Sequence, residues 1–63
     1  MEREAIYLLW KNMTLRLNEM QRRQYAATLA VVYGYGGAKV VHEITGISLN
    51  TITATVNNLS SES

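Results

Sequence analysis

His42 is the one histidine among 63 residues and there is no cysteine, so the chain offers no thiolate nucleophile, disulfide or Cys- or His-rich metal site. Its acids are spread thinly. Glu19 and Glu43 stand without a second acid or a base at a spacing that proton transfer would use. Gly34-Tyr35-Gly36-Gly37 lacks the spacing and the Lys-Ser/Thr pair of a phosphate-binding loop, and reads as a structural turn. Asn12-Met13-Thr14 and Asn58-Leu59-Ser60 match glycosylation sequons that have no meaning in the cytoplasm, where the chain is expected to reside. What remains is recognition chemistry. Amides and hydroxyls gather near the C-terminus at Ser48, Asn50, Thr51, Thr53 and Asn57, and cations lie earlier at Arg22, Arg23 and Lys39. This inventory implies no catalysis by the chain itself, and no cofactor, metal or small-molecule substrate.

The elements that must position these groups are small. A chain of 7.1 kDa makes one domain, 1–63, and buries only about 60% of the surface it exposes when unfolded. Hydrophobic residues at 48% and charged residues at 17% give a globular rather than a disordered composition. The longest apolar run, Ala26 to Tyr33, is too short for a membrane span and is broken by Thr28. No secretory signal opens the chain, which is the basis for the cytoplasmic expectation. A net charge of +1 is low for a nucleic-acid binder, which ordinarily carries a marked basic surface.

There is no proline, and the glycines fall at Gly34, Gly36, Gly37 and Gly46, which leaves long stretches free to be helical. The first predicted helix covers Glu2 to Met13, with Ile6, Leu9, Trp10 and Met13 in one apolar stripe, widened by Tyr7 and Leu8. Thr14 to Leu17 connects. Asn18 with Gln21 three residues on is a capping box that starts the second helix at Glu19. That helix runs to about Tyr33, with Met20, Tyr25 or Gln24, Ala27, Thr28, Val31 and Val32 as its inward face. The glycine cluster ends it. A third helix follows from about Ala38 to Thr45. Gly46 breaks the chain, Ser48 caps, and a fourth helix covers Leu49 to about Ser60, with Leu49, Ile52, Val56 and Leu59 inward. Thr51, Thr53 and Thr55 would also suit a strand, but one strand has no partner to pair with. The polar end, 60–63, should fray. The fold class is all-α.

Ala38 to Leu59 has the spacing of a helix-turn-helix, at about 38–60. Val41 precedes the turn, Gly46 tightens it, Ile47 plugs it, Ser48 caps, and Ile52 and Val56 face inward. Three packed helices joined by an ordinary turn would share part of this pattern.

The ordered series Asn18-Glu19-Met20-Gln21-Arg22-Arg23, Tyr25-Ala26-Ala27, Gly34-Tyr35-Gly36-Gly37 and Thr45-Gly46-Ile47-Ser48 with Thr51-Ile52 resembles the N-terminal region of a group of bacterial insertion-sequence transposases. The resemblance covers about Ile6 to Leu59. It implies a small four-helix domain with a homeodomain-like C-terminal helix-turn-helix that binds double-stranded DNA during recombination. A DDE-type catalytic domain would lie beyond Ser63, so the chain corresponds to the DNA-recognition part or to a short relative without the enzyme. The recognition helix would be about 49–59, in the major groove, with Leu49, Asn50, Thr53, Ala54 and Asn57 outward. Asn50 and Asn57 would meet adenine edges, Leu49 or Ala54 a thymine methyl, and Ser48 and Thr51 phosphates.

The sequence departs from that family twice. Family members generally carry arginines at several outward positions where Leu49, Thr53 and Ala54 stand here, and no charge lies between Leu49 and Leu59. Binding by this domain alone should therefore be weak, with Arg22, Arg23 and Lys39 as the remaining phosphate partners unless the arginines are only a solvated helix face. His42 occupies the place, four residues before the turn glycine, where close helix crossing favours alanine; a packed or half-exposed structural histidine is expected. The uncharged last helix and the broad apolar face of the first suit a different class of protein equally: a helical association module, such as a homodimer, without DNA binding.

Overall fold

The computed structural model describes residues 2–61, with side chains described through Leu59. Those residues form four helices and no strand: α1 Arg3–Thr14, α2 Glu19–Tyr33, α3 Gly37–Thr45 and α4 Leu49–Ser61. The helices fall within about two residues of the sequence reading. Of the end expected to fray, 60 and 61 are helical, and 62–63 lie outside the described residues. None of the described helices is long and apolar enough to cross a membrane.

Each junction has a local cause. Asn18 Oδ1 accepts from Gln21 N–H at 2.8 Å, and Gln21 Oε1 accepts from Asn18 N–H at 3.0 Å, so both donors are satisfied as α2 begins. Asn18→Ala removes the first of these bonds and should cost about 1 kcal/mol. In a domain of this size that lowers the melting midpoint by roughly 4–8 °C. A thermal melt followed by circular dichroism that superimposes on the parent's would show the box to be idle. At the other reversal Gly46 takes φ +77°, a left-handed conformation that ends α3, and its N–H donates to the His42 carbonyl at 2.9 Å. The His42 ring spans the same reversal, with Nδ1 2.6 Å from the Ile47 carbonyl oxygen. That oxygen can only accept, so Nδ1 carries the proton. His42 is half-buried, and instead of merely filling the crossing it fastens the end of α3 to the turn.

Helix α2 is the centre, touching all three others, while α1 and α4 each pack on α2 and α3. The core is Ile6 of α1, Ala26, Leu29 and Ala30 of α2, Val41 of α3 and Ile52 of α4. Ala27 is also fully buried. This corrects the inward face expected for α2. Met20, Val31 and Val32 are 65%, 57% and 53% exposed, and Thr28 turns outward, its hydroxyl donating to the Gln24 carbonyl. Two stripes compete on this helix. The alanine stripe wins because small side chains let neighbouring backbones come close, which larger Val and Met would prevent. Gly37 shows how close: a Cβ there would sit 2.1 Å from the Ala30 carbonyl oxygen.

Two further stripes are only partly inward. On α1 Ile6 is buried and Trp10 and Met13 half-buried, but Leu9 is exposed. On α4 Ile52 is buried and Val56 half-buried, whereas Leu49 and Leu59 are exposed. A helix of 13 residues is about 20 Å long, and so small a core covers its middle but not both ends.

Candidate nucleic-acid interface

The start of α4 is set by Ser48. Its Oγ accepts from Thr51 N–H at 3.2 Å and its hydroxyl donates to Thr51 Oγ1 at 2.7 Å. Both groups named as phosphate holders are thus engaged with each other, and Thr51 is half-buried on the flank of the helix. Ser48 itself is exposed. The Thr55 hydroxyl donates back to the Thr51 carbonyl at 2.8 Å, on the same flank.

With Ile52 as the inward anchor, helical periodicity sends Asn50, Thr53, Ala54 and Asn57 to one stripe, with Leu49 at its edge. All five are exposed, as the resemblance implied, whereas the apolar periodicity had placed Leu49 inward. The stripe is uncharged from end to end. It offers amide edges and methyl groups and no cation of its own.

The cations are elsewhere, and the structure divides them. Arg22 and Arg23 stand one turn ahead of the buried Ala26 and Ala27, so they continue the inward face of α2 past the edge of the core. There they line a cleft of about 440 Å³ with Trp10 and Thr14 of α1, Glu19 of α2, Thr45, Ile47 and Thr51. Arg22 is not a loosely solvated side chain. Its Nε donates at 2.9 Å to the Thr14 carbonyl, which also accepts from Leu17 N–H at 3.4 Å as α1 ends. Lys39 does not join this cleft. It lies on α3 one turn before Glu43, whose carboxylate pairs with Arg3 of α1 at 2.8 Å. That pair is solvent-exposed and worth about 0–1 kcal/mol.

Sequence reasoning missed Trp10, Thr14 and Glu19 as companions of the arginines. A signal was present: Glu19, Arg22 and Arg23 share one face of a helix whose start the capping box dictates, and Trp10 and Thr14 share one face of α1. Trp10 was taken only as core, and it is indeed stacked on Tyr25, with ring centroids 6.3 Å apart and an interplanar angle of 15°. Among the described residues no three of the His, Cys, Asp or Glu side chains are grouped to hold a metal ion. Comparison with family models, with curated proteins and with solved structures finds no match for this chain.

Proposed function

We propose that the chain is a DNA-binding helix-turn-helix domain of the kind that serves as the recognition part of insertion-sequence transposases, with α4 as its recognition helix. The observation that carries this reading is the exposed Asn50–Thr53–Ala54–Asn57 stripe, held outward by Ile52 on the opposite side and presented just after the Gly46 reversal. Amides and small apolar side chains on one helix face suit the adenine edge and the thymine methyl of the major groove. The paired arginines flanking the start of α4 suit the phosphate backbone. The ordered resemblance to the transposase group points the same way.

Gel-shift titration against duplexes enriched from a random pool, at about 50 mM salt where phosphate contacts count most, tests the reading. A salt-sensitive shift is expected, and no shift rejects it. Arg22→Ala with Arg23→Ala should weaken binding evenly across sequences and reduce the salt slope by about 2. Asn50→Ala should instead narrow the gap between preferred and random duplexes, by about 1–3 kcal/mol of discrimination. Equal losses on both duplexes would remove Asn50 from base readout.

A second reading, association without DNA, draws on the face of α2 that the core leaves uncovered. Val31, Val32 and Tyr35 are exposed in a stretch from Gln24 to Ala38 that contains no charge. Sedimentation equilibrium separates the two: a dimer indifferent to duplex favours association, and a dimer that binds two half-sites unites them.

A further inference from the structure

We propose that the cleft between the end of α1, the start of α2 and the start of α4 binds a nucleoside monophosphate, with the phosphate on Arg22 and Arg23 and the base against Trp10. This site shares Arg22 and Arg23 with the duplex reading but uses none of the outward residues Asn50, Thr53, Ala54 and Asn57, so it stands whether or not that face reads a duplex.

A volume of about 440 Å³ falls within the range of roughly 300–1,000 Å³ typical of small-molecule sites. Two guanidinium groups line it against one carboxylate, and the ion pair of the described residues, Arg3–Glu43, engages neither arginine. Guanidinium forks match phosphate oxygens with paired donors. Arg22 is also held in place: one of its five N–H donors is spent on the Thr14 carbonyl, which fixes the fork and lowers the ordering cost of binding. Trp10 lines the cleft and is stacked on Tyr25, and exposed aromatic surfaces stack bases of any sequence.

Glu19 narrows the ligand class. A carboxylate in the cleft repels a bare phosphate but accepts hydrogen bonds from sugar hydroxyls or an exocyclic amine. A ligand whose sugar or base reaches Glu19 and Trp10 while its phosphate meets the arginines therefore gains contacts that inorganic phosphate lacks. A free nucleotide and the 5′-phosphorylated end of a strand share that chemistry.

The one tryptophan makes the test direct. The full chain is titrated with deoxyadenosine monophosphate, deoxyadenosine and inorganic phosphate. Binding is read by Trp10 fluorescence and by the shift of its indole N–H resonance. Saturable changes are expected for the nucleotide, at least tenfold tighter than for either half. Arg23→Ala should weaken the nucleotide tenfold or more, while Arg23→Lys retains part of it; Arg23 is exposed on a helix, and an unchanged far-ultraviolet spectrum keeps the comparison valid. A 5′-phosphorylated single-stranded oligonucleotide that competes, when its dephosphorylated form does not, identifies a strand end as the source. Competition by neither identifies the free nucleotide. No saturable response to the nucleotide, or phosphate or deoxyadenosine binding as tightly as the nucleotide, overturns the proposal. The gel-shift on Asn50→Ala reports on the duplex reading independently, so either can fail alone.

Discussion

Gly37→Ala should remove about a third or more of the folding free energy. The added Cβ would lie 2.1 Å from the Ala30 carbonyl oxygen, 2.9 Å from its carbon and 3.1 Å from its Cα. These are backbone atoms of the central helix, so no rotamer change relieves the overlap. The helices α2 and α3 must move apart, and Ala30, Val41 and the rest of the core lose contact together. Ordinary overpacking costs about 1–3 kcal/mol, and a rigid backbone obstacle belongs at or above the top of that range. A domain of this length has only about 3–9 kcal/mol in total at 0.05–0.15 kcal/mol per residue. A loss near 3 kcal/mol lowers the midpoint by roughly 12–24 °C. Gly46→Ala makes a useful contrast. Nothing lies within 4 Å of its Cβ position, so only the left-handed backbone at φ +77° resists, at about 1–2 kcal/mol. Thermal melts should rank the two in that order. A Gly37→Ala protein melting within a few degrees of the parent would mean that α2 and α3 do not meet as closely as described.

The largest expected change in binding is a gain. Leu49→Arg, Thr53→Arg and Ala54→Arg together place three cations on the exposed face of α4. If each meets a phosphate, the slope of affinity against salt steepens by about 0.9 per contact, roughly 2.7 in all. Between about 50 and 200 mM salt the variant would then lose some 40-fold more affinity than the parent, and bind at least tenfold more tightly at the low end. Because these side chains are solvent-exposed, the substitutions should leave stability within about 0.5 kcal/mol. A variant with arginines at the exposed Tyr7, Leu8 and Leu15 carries the same added charge away from α4. If both variants gain equally, the effect is net charge alone, and α4 does not face the duplex.

Much of the helical layout is legible in the sequence. The Asn18–Gln21 box, the glycine cluster and Gly46 act on their immediate neighbours, so short sequence patterns report them faithfully. The outward set on α4 was readable for the same reason: once Ile52 faces the core, the 3.6-residue repeat disposes of Asn50, Thr53, Ala54 and Asn57. The inward face of α2 was not. Ala27 of the expected face is buried, but Met20, Thr28, Val31 and Val32 are exposed, and Ala26, Leu29 and Ala30 take their place. His42 was recognised as misplaced for a close crossing, but its bond to the Ile47 carbonyl depends on how the turn brings that oxygen back.

From the sequence alone came the four helices of the described residues and their ends, which follow from local backbone preference, and a composition without cysteine. Tertiary structure decided which stripe of α2 is covered, that Arg22 reaches the end of α1, and that Arg22, Arg23, Glu19 and Trp10 share one cleft while Lys39 stands apart. Those outcomes turn on how near two backbones can come, and that distance is set by the smallest side chains at the crossing, Gly37 and the alanines of α2, rather than by the most hydrophobic ones.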